Sequence, residues 1–225
     1  MCSSDLTPMR NRFTFSFSEL PSSLPIFPLS GAVLLPNGQL PLNIFEDRYL
    51  SMINDALSNS RLVGMVQPKN NADKTHDELY ATGCAGRIVS FSETRDDRYL
   101  IILAGVCRFD IKEEIECAKG YRRAEVVWDR FSDDLGDGDT DLDASDLIDS
   151  ARRYTEQRKL SVDWSALDHL EPRELVDTLA CSLPFSPQDK QGLVETVVIR
   201  DRVQLLTALC EFGAVEVNEG SSVAH

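Results

Sequence analysis

The chain has 225 residues with 23 basic and 37 acidic side chains, a formal net charge of −14, and 42% hydrophobic residues. That length allows one large domain or two small ones with real cores, and the hydrophobic share excludes a disordered polymer. The acidic balance argues against non-specific binding to nucleic acid or anionic lipid, because both need a basic surface. No apolar run approaches the roughly 20 residues that a membrane helix needs. The first residues, MCSSDLTPMRNRF, hold no hydrophobic signal core, and Cys2 follows no lipobox. A cytoplasmic protein is expected.

In chain order, residues 1–23 form a polar leader. Residues 24–131 carry short β-like runs and are expected to fold as an antiparallel, barrel-like sheet with one helix. LPIFPL (24–29) reads as a strand at a sheet edge or at a strand start, because its prolines cannot donate to a ladder. AVLL (32–35) and QLPL (39–42) flank the turn sequence Pro36-Asn37-Gly38. Asn43 and Glu46 stand at capping-box spacing. The helix they would open repeats Phe45, Tyr49, Met52, Ile53, Ala56 and Leu57 on one apolar face. RLVGMVQ (61–67), Tyr80 to Phe91, Tyr99 to Ile111 and Tyr121 to Trp128 read as further strands. The Tyr99 run is apolar enough to predict burial on both faces in its first half.

The segment 132–146 is an acidic linker. Its core, DDLGDGDTDLDASD (133–146), carries seven aspartates and no basic residue, which predicts a solvated, self-repelling loop. Residues 147–213 show helical periodicity throughout and predict a helical bundle. The first helix lies within Leu142 to Leu160. Pro172 marks the start of another. Ser186-Pro187-Gln188-Asp189 is an N-cap signal. The last helix spans about Ile199 to Phe212, with Gly213 as its stop. Residues 214–225 form a polar tail.

Chemistry-bearing motifs are sparse. The chain lacks GxxxxGK[ST], GxSxG, HExxH and GxGxxG, so nucleotide hydrolysis and the common hydrolase and dehydrogenase sites have no support. An EF-hand reading from Asp137 fails, with Leu142 where glycine is needed and Ile148 where glutamate is needed. The six cysteines include no CxxC, and His76, His169 and His225 lie far apart, so no metal site is expected. The thiols read as reduced, packed side chains, and no cofactor is expected.

The segment LPIFPLSGAVLLPNGQLPLNIFEDRYLSMI (24–53) resembles the start of the Lon protease N-terminal domain, and is most similar to bacterial proteins that carry this domain alone. The matching residues include Leu24, Pro25, Phe27, Pro28, Pro36, Pro41, Ile44, Phe45, Glu46, Arg48 and Tyr49. Gly83, Ile88, Gly105, Arg108 and Phe109 match the family's sheet pattern. Tyr121, Ala124 and Val126 match its closing strand, and Leu175, Asp177, Ala180, Lys190, Gln191, Leu193 and Arg202 its helical half. Asp47, where stand-alone members often have proline, and Asp96-Asp97, in place of a glycine-containing turn, depart from that pattern.

The resemblance implies an α+β chain, a PUA-like pseudo-barrel followed by a helical bundle, without the ATPase and Ser/Lys protease modules. It implies a non-catalytic module that binds protein or peptide clients, with a AAA+ protease as a further partner. The site to examine is Phe45, Glu46, Arg48 and Tyr49. The alternative for these residues is structural: Phe45 and Tyr49 also fit the buried helix face, and Arg48 a surface ion pair. Two other readings stay open, RNA binding of the kind seen in other PUA-like barrels, and a small-molecule site between barrel and bundle.

Overall fold

The structure, a computed structural model, describes residues 15–69, 78–136 and 141–221, with side chains through 214. Cys2, His76, His225, most of the leader and the central part of the aspartate run lie outside the described residues. Six strands and six α-helices follow in order: β1 (Ser23–Pro28), β2 (Gln39–Ile44), α1 (Asp47–Leu57), β3 (Leu62–Val66), β4 (Thr82–Glu93), β5 (Tyr99–Ile115) and β6 (Arg122–Val127), then α2 (Ser145–Gln157), α3 (Trp164–Leu167), α4 (Pro172–Ser182), α5 (Pro187–Glu195) and α6 (Ile199–Ser221). The fold is α+β.

The sheet order is β2-β5-β4-β3-β1-β6, and β6 pairs again with β5. The ring β1-β3-β4-β5-β6 is therefore closed, with β2 added outside it. Closure depends on the length of β5, which spans roughly 55 Å at the usual strand rise. Its first residues pair with β2 and its last with β6, while β4 runs alongside most of its length.

Several expectations need correction. β1 is not an edge strand. It runs parallel to β3 from Ile26 to Pro28 and antiparallel to β6 from Ser23 to Ile26, so the sheet is mixed. Each proline faces a neighbouring strand on one side only, which is why both are tolerated in an interior strand. AVLL (32–35) forms no strand. Its apolar character serves two cores, Leu34 entering the barrel and Val33 and Leu35 the helical bundle. The helix after β2 starts at Asp47, because Asn43 is held in β2 opposite Leu100 and the extended Glu46 becomes the N-cap. β5 is not buried on both faces in its first half, since Leu100 points outward.

The helical half follows local signals closely. Ser186 Oγ accepts from the Asp189 backbone N–H at 3.1 Å, and Pro172 opens α4. Gly213 does not stop α6, which continues to Ser221. Its function is close approach: a Cβ there would lie 2.5 Å from Tyr154 Cε2 on α2.

Barrel and bundle are joined through buried polar groups. Arg108 on β5, 1% exposed, spends all five guanidinium N–H groups. Nε and Nη2 donate to the two carboxylate oxygens of Asp134 at 2.9 and 2.7 Å, and the remaining three reach the carbonyls of Val194, Thr196 and Val197 at the end of α5. The Asp134 carboxylate, from the expected solvated run, is therefore buried, its side chain 1% exposed. Within the bundle, Arg202 Nη1 donates to Asp177 at 2.6 Å, and Asn37 from the barrel donates to the other oxygen of Asp177. Gln67 donates to the Pro187 carbonyl, and Gln191 to that of Thr82.

Candidate functional site

The segment from Ile44 to Tyr49 turns the chain from β2 into α1. Ile44 ends β2 opposite Tyr99, which brings Phe45 to the turn end of the β4–β5 hairpin. The Glu46 carbonyl accepts from the N–H groups of Tyr49 and Leu50, both at 2.9 Å, and so starts the helix. Its carboxylate accepts from Arg48 Nε at 2.8 Å and Nη2 at 2.7 Å. The Arg48 guanidinium lies 4.5 Å from the centre of the Tyr49 ring. Tyr49, 7% exposed, meets Phe27 edge-on at 4.3 Å between centroids.

The four predicted residues thus divide into three placements. Tyr49 belongs to the barrel core, and the Glu46–Arg48 pair braces the corner at the surface. Phe45, expected on the buried helix face, is instead 61% exposed, because the helix starts two residues after it. Arg98 reaches over its ring at 5.5 Å and also pairs with Asp96 at 2.9 Å. The turn that carries these groups is closed by a hydrogen bond from Thr94 N–H to the Arg98 carbonyl, with Asp97 at φ 58°. Aspartate tolerates that left-handed conformation, so the absence of glycine costs little here.

Two further apolar side chains are exposed at this end of the sheet on opposite faces, Leu100 at 47% on the face of Asn43 and Phe91 at 38% on the face of Tyr99 and Ile101. Phe91 meets Tyr99 edge-on at 4.9 Å. Between Ile88 and Ser90 the β4–β5 register slips, leaving Val89 as an exposed bulge. Sequence reasoning missed Leu100 because it lies within an unbroken apolar run. The usable signal was the polar alternation of its partner strand, in which Gln39, Pro41 and Asn43 all face outward.

Behind the corner, α1 is tied to the β5–β6 connection by Asp55. Its carboxylate accepts from Lys119 Nζ at 2.6 Å and from the Tyr121 hydroxyl at 2.7 Å. The Lys119 bond, then the Tyr121 bond, hold its pKa below the ordinary aspartate value. A depressed carboxyl pKa stabilises the fold above the unfolded pKa, and the benefit is lost as pH falls through the folded value. Asp55→Asn is therefore expected to lower stability by about 1 kcal/mol at pH 7, solvent screening included, with the difference closing below about pH 4. Urea melts at both pH values check this, and a gap that persists in acid would refute the assignment.

No group of three or more His, Cys, Asp or Glu side chains among the described residues is placed to hold a metal ion. Burial pushes the thiols of Cys107, Cys181 and Cys210 up to about 12, so they are poor nucleophiles. One cavity between barrel and bundle, lined by Leu34, Gln67, Gln191 and Val194 among others, measures about 10 Å³, room for no more than a water molecule. No helix among the described residues is long and apolar enough to cross a membrane.

Residues 23–211 match the family model of the ATP-dependent protease La (LON) substrate-binding domain. The chain belongs to this Lon substrate-binding domain family. A Lon protease of Anaeromyxobacter dehalogenans is 28% identical over 198 residues, covering 85% of this chain and 23% of that protein. Lon protease 2 of Sorangium cellulosum is 30% identical, with 83% and 24% covered. The chain thus spans about a quarter of the length of these curated relatives, and it matches their substrate-binding domain rather than the ATPase or protease modules. A Lon N-terminal domain protein from Xanthomonas campestris superposes with a TM-score of 0.59 at 24% identity, over 84% of this chain and 98% of that one. The N-terminal domain of a Mycobacterium avium complex Lon protease gives 0.57 at 16% identity, with 84% and 97% covered. These two likenesses concern the fold.

Proposed function

We propose that this Lon-type domain binds protein segments through the exposed apolar corner formed by Phe45 and Leu100, without catalysing a reaction itself. Phe45 carries the reading. An aromatic ring left largely in solvent beside an ion pair has no role in the core, and aromatic side chains with neighbouring arginines are the usual anchors of protein interfaces. Glu46 and Arg48 form the polar rim, and Tyr49 fixes the corner from below. The partners are unfolded or extended protein clients, with a AAA+ protease as the class that would receive them, in a cytoplasmic setting. Family membership supports this reading, since the family model is named for substrate binding.

The test is binding of fluorescently labelled, reduced and carboxymethylated lactalbumin, a permanently unfolded probe. Phe45→Ser combined with Leu100→Ser is expected to weaken binding about tenfold or more, equivalent to about 1.4 kcal/mol, with an unchanged melting temperature. Tyr49→Ala is expected to lower the melting temperature and leave the affinity of the folded fraction intact. Wild-type affinity in a folded Phe45/Leu100 variant would refute the site.

A further inference from the structure

We propose that an acid-rimmed apolar trough across the N-terminal end of α2 is a second interaction surface, fitted to a polypeptide segment that carries both cationic and apolar side chains. Two pockets adjoin there, about 290 and 490 Å³, and share Leu142 and Asp143 as their divider. The smaller is floored by Ile148, Trp164 and Leu167, and the larger by Leu147 and Val203. Two apolar compartments in series suit successive side chains of a peptide better than one compact metabolite.

The rim sets the sign of the partner. Asp141, Asp143, Asp146, Asp168 and Glu211 line the two pockets, against the single lining guanidinium of Arg200. Two arginines approach from outside: Arg152 lies 3.6 Å from Asp168 and stacks 4.4 Å from the Trp164 ring, and Arg153 lies 3.8 Å from Glu211, so five rim carboxylates face three guanidinium groups. A bare helix N-terminus would attract an anion. Here Asp143 already accepts from the Ser145 backbone N–H at 3.0 Å and its hydroxyl at 2.6 Å, and Asp146 occupies the first turn. The dipole is thus answered from within, and the excess negative charge faces the trough. Ser145 also holds the Asp143 carboxyl below its ordinary pKa, through its hydroxyl first and its backbone N–H second.

The consequence is selectivity by charge as well as by hydrophobicity. A segment that alternates leucine-like and lysine-like side chains fills the compartments and meets the rim. An acidic segment of equal hydrophobicity is repelled, and a basic segment without apolar side chains leaves the floor exposed. None of the residues involved belongs to the Phe45 corner, so the two sites fail independently.

The test uses the full chain and three fluorescein-labelled synthetic peptides, alternating Leu/Lys, Leu/Glu and Ser/Lys, followed by anisotropy. The Leu/Lys peptide is expected to bind at least about tenfold more tightly than either other peptide. Its affinity should fall between about 50 and about 500 mM salt. The shape-preserving variant Asp143→Asn/Asp146→Asn/Glu211→Gln is expected to lose about tenfold or more, and Trp164→Ala a similar factor, whereas Phe45→Ser changes nothing. If Trp164→Ala fails to fold, the amide variant decides alone. Equal binding of the Leu/Glu peptide, wild-type affinity in the amide variant, or no binding of Leu/Lys at low salt would each overturn the proposal.

Discussion

Replacing Arg108 with methionine is expected to cost about 3–5 kcal/mol and to lower the melting temperature by roughly 10 °C. The side chain is enclosed, and its five donors serve one carboxylate and three carbonyls. Methionine fills much of the volume but leaves Asp134, its side chain 1% exposed, with Arg173 at 3.6 Å as its nearest cationic partner. The penalty comes from that uncompensated charge and from the orphaned end of α5, more than from a lost attraction. Two companions separate these contributions. Arg108→Lys keeps the charge but not the planar fork, so it should recover little. Arg108→Met/Asp134→Leu removes the stranded carboxylate and should regain part of the loss, a coupling that a double-mutant cycle measures directly. Because the same guanidinium touches β5, the 129–135 turn and the segment after α5, wild-type unfolding is expected to be one transition for barrel and bundle together. Stability of Arg108→Met within about 1 kcal/mol of wild type would contradict this account.

What was legible beforehand follows the range of each interaction. Ser186 and Pro172 act within one helical turn, so their helices could be read directly. The closing of the ring could not, because it depends on β5 pairing with three other strands, and nothing local in Tyr99–Ile115 specifies which residues meet which neighbour. The same gap explains β1: its prolines signal an edge only if each faces strands on both sides, and the partition at Ile26 is a tertiary fact. Arg108 and Asp134 are 26 positions apart, and a carboxylate within an aspartate run gives no sign that it turns inward. At the candidate site, all four named residues lie at one corner, with Tyr49 buried and Arg48 ion-paired as the structural alternative expected, but the burial of Phe45 was misassigned because helical spacing alone does not locate the first turn. Phe45 is exposed for that reason. Arg98 and Leu100 join it only through strand pairing.

Gly105→Ala is the second substitution expected to be severe, at about 3 kcal/mol or more. A Cβ on Gly105 would stand 1.9 Å from the Leu35 carbonyl oxygen and 2.7 Å from its carbon, both backbone atoms. The opposing segment has little freedom to withdraw. The Gly38 carbonyl accepts from the Gly105 N–H at 2.9 Å, Leu34 is anchored in the barrel, and Leu35 in the bundle. Two other glycines calibrate the result. Gly31 sits at φ 75° with nothing within 4 Å of a Cβ, so alanine there carries only the left-handed backbone cost, about 1 kcal/mol. At Gly192, inside α5, a Cβ would meet Leu205 at an ordinary 3.8 Å, and alanine should stabilise by roughly 0.5–1 kcal/mol. Urea denaturation of the three variants should therefore order the midpoints Gly192→Ala, wild type, Gly31→Ala, Gly105→Ala from highest to lowest. If Gly105→Ala instead matches Gly31→Ala, the segment before β2 yields without loss, and the apolar run Val33–Leu35 does not pin the barrel against the bundle.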